Sequence, residues 1–410
     1  MATIIGTGGT DIAHQIIDPS GGANQVRVRA YNERLVLSLV RRHGSVSKAD
    51  IARRTGLSAQ TVSVIMRSLE SDGLLSRGAP QRGRVGQPSI PMSLNPDGVF
   101  SLGLKIGRRS AELILLDFVG TVRARHHEAY KYPTPMGIAS FVTRSVREIL
   151  KTMTPEAAGR IAGLGVALPF ELWNWVEEVG APREDMDAWR DVDLNAMLSG
   201  IVPFPVFPQN DATAACAAEL AFGRGPSFTD FAYFFIGTFI GGGVVLNHAL
   251  YAGRTGNAGA FGSMPMTGPD GKTGQLIDYA SIFLLEKMLT ARGRDPSSIW
   301  LTPEAWTDFD DVLTEWIGLT SVSLAHAIVT VSAVIDFEAV IVDGAFSPEI
   351  RTALVEATRR EVLKLDLQGI ATPDIEEGMI GPPARAIGAA SLPLFSRYHI
   401  DQSVLFKEMA

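Results

Sequence analysis

Residues 47–75 read SKADIARRTGLSAQTVSVIMRSLESDGLL, a pattern that predicts two short helices joined by a glycine turn. Ile51, Ala52, Leu57, Val62, Ile65 and Leu69 recur at the spacing of one buried face. Ala52 is small enough for close helix contact, and Gly56 is free to take the left-handed conformation that a tight turn needs. Ser58 is placed to cap the second helix. Ser58, Gln60, Thr61, Ser63 and Arg67 are left facing outward near the start of that helix, and all are types that hydrogen-bond base edges or phosphates. The expectation is a helix-turn-helix whose second helix enters a DNA groove; the alternative is an ordinary helical hairpin with a solvated face.

Charge follows the same division. Residues 1–95 hold 12 Lys and Arg against 6 Asp and Glu, net +6, whereas the remaining 315 hold 25 against 38, net −13, which together give the whole-chain −7. A basic head on an acidic body points to a nucleic-acid-binding end. The next stretch, SRGAPQRGRVGQPSIPMSLN (76–95), is rich in Gly, Pro and Arg and flanked by apolar residues. It reads as a wing in which Arg77, Arg82 and Arg84 neutralise phosphates and Gly86, Gln87 and Pro88 form a slim tip able to enter a minor groove. A flexible basic linker is the other reading.

At 410 residues and 46% apolar content the chain has room for two or three compact units. A lone cysteine, Cys216, excludes an internal disulfide framework and fits a reducing, cytoplasmic location. Residues 1–23 read as a loose tail rather than a signal peptide. The run Phe231 to Leu246 is interrupted by Gly237, Gly241, Gly242 and Gly243, so no membrane span is expected. From Phe100 onward apolar strands alternate with amphipathic helices, an α/β pattern. Strands are expected at 101–107 and 111–127 about a turn at Asp117 to Gly120, then at Ile161 to Leu168 and Phe204 to Pro208. Helices are expected at Gly137 to Thr152 and Ala212 to Phe222, the latter opened by Asn210 and Asp211. A second half with strands at Phe231 to Ile236, Gly243 to Asn247 and Ala339 to Val342, and helices near Ile277 to Arg292 and Phe309 to Val334, suggests two similar lobes with a cleft between them.

These pieces together resemble the ROK family of repressors, open reading frames and sugar kinases, in its regulator branch. The resemblance rests on NQVRVRAYNERLVLSLVRRHG (24–44), the helix-turn-helix, the wing ending GQP, GLGVALP (163–169), QNDATAACAAE (209–219), IGTFIGGGVVLN (236–247), GNAGAFG (256–262) and AIGAA (386–390). It implies a winged helix-turn-helix at 24–95 and a two-lobed actin-like ATPase body. The small lobe would span 96–208, completed by a C-terminal helix at 385–400, and the large lobe 209–384. It also implies a sugar-type effector in the cleft, with Asn210, Asp211, Pro169, Gly241, Ala260 and Ser263 as candidate binding residues, a double-stranded DNA operator, and assembly as a homodimer or homotetramer. Effector binding would reach the head through the segment near Ser93 to Val99.

Departures from the family's kinases are as informative. Lys105, Ile106, Gly107, Arg108 and Arg109 stand where the kinases carry Asp-x-Gly-Gly-Thr, so a magnesium-organising carboxylate is replaced by a cation. Phe239 stands in the second phosphate loop where a small glycine is usual, and VDGAF (342–346) replaces a strand ending in paired glycines. Phosphoryl transfer therefore reads as lost, with no catalytic residue and no cofactor. Ala260 and Ser263 take the places of a sugar-binding Glu and His, and Ile277 that of a later Glu; Trp173, Trp175 or Trp189 could compensate or serve as core. GPDGKTGQL (268–276) lacks the cysteines of the family's structural zinc cluster, so no metal is expected. An active sugar kinase fused to a DNA-binding head, and a regulator sensing a partner protein, are the competing readings.

Overall fold

The structure is a computed structural model describing residues 25–80, 89–169, 172–174, 176, 180–268, 271–301, 306 and 308–399. The expected tail at 1–23, the wing tip with Arg82, Arg84, Gly86, Gln87 and Pro88, and Trp175 lie outside the described residues. By its internal contacts the chain divides into two compact units. Unit 1 takes the described residues within Met1–Val166, Glu171–Pro208 and Ala390–Ala410; unit 2 takes those within Ala167–Phe170 and Gln209–Ala389.

Unit 1 opens with the head: α1 (Gln25–His43), β1 (Ser45–Val46), α2 (Lys48–Thr55), α3 (Ala59–Ser71), β2 (Leu75–Arg77) and β3 (Met92–Leu94). The strands form a three-stranded antiparallel sheet in the order β1-β3-β2, the base of a wing. Val36, Leu37, Val40, Val46, Ile51, Val62, Ile65, Met66, Leu69, Leu75, Met92 and Leu94 make its core. Ala52 and Leu57, expected in that core, are only half-buried, while Met66, not expected there, is fully buried.

The body of unit 1 is a five-stranded sheet in the order β6-β5-β4-β7-β8, with β4 Phe100–Ile106, β5 Ser110–Asp117, β6 Val122–Ala129, β7 Ile161–Leu168 and β8 Val206–Asn210. β4 and β5 pair antiparallel with Leu102 opposite Leu115. Asp117 makes the expected turn after β5 by accepting the Val119 and Thr121 amides at 3.0 and 2.8 Å. Helix α4 (Pro135–Thr152) is capped by Thr134 and lays Ile138, Phe141, Val142, Val146 and Ile149 against the sheet. It starts two residues before the expected Gly137 because Pro135 is favoured in a first helical turn.

Unit 2 opens with α5 (Asp211–Phe222) and carries a second five-stranded sheet, order β11-β10-β9-β14-β15, from β9 Phe231–Ile236, β10 Ile240–Leu246, β11 Ala249–Tyr251, β14 Ala339–Gly344 and β15 Asp374–Glu377. Strands β9, β10 and β11 form an antiparallel meander, and β14 runs parallel to β9 with Ile341 opposite Tyr233. A small hairpin, β12 (Pro265–Thr267) and β13 (Thr273–Gln275), follows β11. The helix expected near Ile277 to Arg292 is broken: a turn at Leu276–Tyr279 ends at Ala280, and Ser281 caps α6 (Ile282–Ala291) afresh.

Helix α7 (Asp310–Val334) corrects the reading that no segment could span a membrane, since its apolar window has a mean hydropathy of 1.7 over a sufficient length. Here it is a core helix of unit 2. Trp316, Leu324, Ala325 and Ile328 pack within a cluster that includes Trp306, Phe309 and Phe346. Helices α8 (Pro348–Val362) and α9 (Ala384–Tyr398) complete the fold.

Alanine-rich α5 seats on β10 because both surfaces lack bulk. A Cβ on Gly241 would stand 2.7 Å from the Ala212 Cβ, and one on Gly243 would stand 2.5 Å from that of Cys216. Helix α9 approaches α5 as closely, with a Cβ on Gly388 only 1.6 Å from the Ala214 carbonyl oxygen.

Candidate functional site

The helix-turn-helix is built by its caps. Ser47 Oγ accepts the Asp50 amide at 3.2 Å and donates to the Asp50 carboxylate at 2.7 Å, which holds that carboxyl below its ordinary value. Gly56, at φ +71°, ends α2 with its amide on the Ala52 carbonyl. Ser58 Oγ then accepts the Thr61 amide at 3.1 Å and lies 2.8 Å from Thr61 Oγ1, starting α3. Val62, Ile65, Met66 and Leu69 fix the rotation of α3, leaving Ser58, Gln60 and Arg67 exposed and Thr61 and Ser63 half-exposed. Ser58 and Thr61 are therefore engaged in the cap, and Arg67 Nε donates to the Ser63 carbonyl at 3.2 Å, which leaves its terminal amines outward.

Arg77, expected on phosphate, instead forks onto Glu70 of α3, with Nη2 on Oε2 at 2.9 Å. An exposed Arg balanced by a carboxylate adds little net attraction for a polyanion, so the wing's positive charge falls to residues beyond β2. The pair does tie wing to helix.

Several contacts within unit 1 fix the head's bearing. The segment after β3 turns at Asn95, whose Nδ2 donates to the Gly73 carbonyl at 2.7 Å while its amide donates to Leu74 at 2.9 Å. The Phe118 amide donates to the Pro96 carbonyl, so the turn after β5 is stitched to the same segment. On the other side Arg41 of α1 lies 5.0 Å over the Phe118 ring, and that ring meets Tyr398 of α9 edge-on at 5.3 Å. Burial lowers the Arg41 guanidinium to about 10, against the opposing pull of Asp117. Burial also drives His399 well below its ordinary value, and nearby Arg41, Arg42 and Arg34 lower it further.

Every candidate effector residue falls in unit 2. Asn210, not Asp211, caps α5: its Oδ1 accepts the Ala212 and Thr213 amides at 3.0 and 3.3 Å. That frees Asp211 from the capping role and leaves its carboxylate 3.3 Å from Arg385 Nη1, in a pair whose side chains are 19% and 15% exposed. The Arg385 guanidinium lies 5.2 Å over the Phe235 ring, and its Nε has no hydrogen-bond partner among the described residues. Ala260 and Ser263 are exposed at a short helical turn, Pro169 is buried and Gly241 half-buried. Among the expected aromatic platforms, Trp189 is core, its Nε1 donating to the Pro133 carbonyl, and Trp173 lies 5.8 Å from the Arg190 guanidinium.

Both expected phosphate loops are closed on themselves. In unit 1 the β4–β5 turn is held by Gly107 and Tyr130: the Gly107 amide reaches Ser110, and the Tyr130 hydroxyl donates to the Gly107 carbonyl at 2.7 Å. Lys105 Nζ reaches Ser110 Oγ at 3.1 Å, and a Cβ on Gly107 would meet the Lys105 side chain. In unit 2 the amides of Ile282 and Phe283, the first donors of α6, go to the carbonyls of Gly237 and Thr238, and Phe239 packs edge-on against Phe283 at 5.6 Å. Helix-start amides that could cradle an anion are thus already bonded. Phe346 is fully buried between Trp306 and Trp316.

One charged cluster escaped sequence reading. Asp343, fully buried at the end of β14, accepts from Tyr233, Arg351, Gly344 and Gly381. Glu219 of α5, also fully buried, accepts the Arg224 and Met379 amides. Burial raises Glu219 to about 7, opposed by those amides, with Asp343 raising it further. Glu219 gave no signal because it sits in an otherwise apolar helix, where a lone Glu reads as a solvent-facing residue. Among the described residues no group of three His, Cys, Asp or Glu gathers to hold a metal ion.

A winged helix-turn-helix head followed by a body of two meander-led five-stranded sheets defines a regulator built on the actin-like ATPase fold. Residues 101–394 match the ROK family and residues 29–76 a winged helix-turn-helix DNA-binding family, so the chain belongs to the ROK family. It is 27% identical to the xylose repressor of Bacillus spizizenii over 280 residues, 67% of this chain and 72% of that protein. It is 24% identical to protein y4fQ of Sinorhizobium fredii over 372 residues, 90% of this chain and 91% of that protein. Among solved structures, a ROK family transcriptional regulator described as a homolog of the E. coli MLC protein superposes with a TM-score of 0.64 at 18% identity, covering 92% of this chain and 99% of its own. A ROK family glucokinase from Streptomyces griseus, solved with glucose and AMPPNP, superposes with a TM-score of 0.57 at 22% identity, covering 72% of this chain and 98% of its own.

Proposed function

We propose that this chain is a sequence-specific transcriptional repressor of genes for carbohydrate uptake or catabolism, released or tightened on its operator by a sugar-type effector bound through unit 2. The observation that carries the reading is α3, a capped helix presenting Gln60 and Arg67 outward from a basic winged head. The xylose repressors among the relatives support the sugar-responsive part. Gln60 would read a base edge, Arg67 a base or phosphate, and Arg82, Arg84 and Gln87 the backbone and minor groove. Asp211, freed from capping by Asn210, would accept hydroxyl donors of the effector, a charge-assisted bond. Pro169, Gly241, Ala260 and Ser263 would line the same site. The protein would act in the cytoplasm as a homodimer or homotetramer, on half-sites one or two helical turns apart.

The test begins with selection of a preferred duplex from a randomised pool, followed by anisotropy titration of the full chain on that duplex and on random DNA across salt concentrations. A preference of 1,000-fold or more is expected, shifted on adding the correct sugar from a panel of pentoses, hexoses and their derivatives. Equal affinity for both duplexes would refute the sequence-specific reading. Sugar phosphate made from ATP and magnesium, and abolished in Asp211→Asn, would replace it with the kinase reading. A shift caused by a partner protein and by no sugar would favour the protein-sensing one.

A further inference from the structure

The side chains that bury α3 also settle which residues stand farthest from its core. At 100° per residue, the face opposite Val62, Ile65, Met66 and Leu69 carries Gln60, Val64, Arg67 and Ser71, spaced i, i+4, i+7 and i+11. Val64 is the anomaly in this stripe. It is 48% exposed, flanked by polar Gln60, Ser63 and Arg67, and stands on the face turned away from the packing of the head. A β-branched residue at an exposed helical position also lowers helix propensity relative to Ala, so helix formation gives no reason for it. Its χ1 stiffness does one useful thing: it holds two methyl groups at a fixed bearing.

We infer that Val64 reads a thymine, its methyl groups packing on the C5-methyl of one T in each operator half-site between the contacts of Gln60 and Arg67. The inference rests on α3 being the helix that enters the major groove. Within that groove the thymine methyl is the apolar group that distinguishes one base-pair edge from the others. The occupant is fixed by charge as well as shape, because the apolar spot lies in a head whose residues 24–95 hold 12 Lys and Arg against 4 Asp and Glu, with Arg67 beside it, and DNA is the polyanion such a surface attracts. Four residues of helical rise place Val64 about 6 Å from Gln60 along the axis, so the two side chains address different base pairs.

Replacing thymine by uracil removes the methyl and nothing else, which gives a direct test on the full-length protein and its selected operator. Each T is changed to U in turn, and affinity is measured for wild type, Val64→Ala, Val64→Thr and Gln60→Ala. At one position per half-site the change should weaken wild type about 3- to 10-fold, while Val64→Ala, already weaker on the T-containing duplex, should not notice it. Val64→Thr, which keeps the shape but exchanges a methyl for a hydroxyl, should lie between. Because Val64 is exposed, Val64→Thr should melt as wild type does and Val64→Ala at or slightly above it. If no T-to-U change distinguishes wild type from Val64→Ala while Gln60→Ala still loses operator preference, the assignment of Val64 is wrong and the groove-reading role of α3 stands. If Gln60→Ala also keeps full preference, the groove-reading role itself fails. A change in sedimentation of Val64→Ala with no T-to-U discrimination would assign the side chain to a protein contact and overturn the inference.

Discussion

Removing the Asp211 carboxylate should have two separable effects, one on stability and one on effector binding. The pair with Arg385 spans 3.3 Å, so its gross Coulomb attraction is about 5 kcal/mol at an effective dielectric of 20 and about 1.3 kcal/mol in bulk water. Both side chains keep some exposure, and each loses solvation on burial, so the net coupling should be about 1–2 kcal/mol. Asp211→Ala leaves a largely buried guanidinium without its counterion, whereas Asp211→Ala with Arg385→Met removes both charges. A double-mutant cycle by urea unfolding should therefore show the double variant more stable than the sum of the singles by that amount. Calorimetric titration with the inducing sugar should show Asp211→Ala weakened by about 1.5–3 kcal/mol, the range for a hydrogen bond to a charged group. Operator binding in the absence of sugar should be unchanged. A coupling below about 0.3 kcal/mol would refute the energetic reasoning, and wild-type sugar affinity in Asp211→Ala would move the effector site elsewhere.

Other expectations follow from particular contacts. Ser58→Ala removes the cap of α3 and should cost about 1 kcal/mol of head stability and weaken operator binding, checked by melting and anisotropy; unchanged melting would mean the Ser58 bond to Thr61 contributes nothing. Gly388→Ala drives a Cβ into the Ala214 carbonyl and should destabilise unit 2 by about 3 kcal/mol or more, seen as lost soluble yield or a lowered melting temperature. Glu219, raised from its ordinary value to about 7, holds a proton more tightly in the folded than in the unfolded state, so its contribution is greatest in acid and is lost as pH rises toward 7. Melting temperature should fall between pH 5.5 and 8, by an amount corresponding to about 2 kcal/mol from this group, and Glu219→Gln should flatten the slope. A rising or flat wild-type profile, unaltered in Glu219→Gln, would count against the buried proton.

The head was legible because its signals are local. The cap at Ser58, the left-handed Gly56 and the 3.6-residue spacing of Val62, Ile65 and Leu69 lie within one short stretch and need no distant partner; the cap at Ser47 was not read, though it lies in the same stretch. Strands such as Ile161–Leu168 and Phe231–Ile236 were legible as apolar runs. What escaped depends on distant residues. Strand β15, with half-buried Glu376 and Glu377, has no apolar alternation and exists because β14 pairs with it. The role of Asp211 could not be separated from capping until Asn210 was seen to take both amides and Arg385, far along the chain, to meet the carboxylate. Arg77 read as a phosphate contact because Glu70 is on another element. The apolar run of α7 is long enough to cross a membrane by composition, and only its packing around Trp306 and Phe346 shows that it is a core helix.

The glycines of Gly241 to Gly243 and Gly259 to Gly262 carry a lesson about folding. A Cβ at Gly242 would lie 2.2 Å from the Tyr233 carbonyl oxygen, one at Gly259 2.6 Å from the Gly243 Cα, and one at Gly262 2.2 Å from the Ile240 carbonyl oxygen. These positions are held by close approach of backbone to strands β9 and β10, whatever the site beside them does. Folding alone is thus sufficient reason for glycine at these positions, so their presence says nothing for or against nucleotide chemistry in this chain. The residues that bear on the chemistry are instead ones the packing does not demand, such as Lys105 and Phe239 in the two loops.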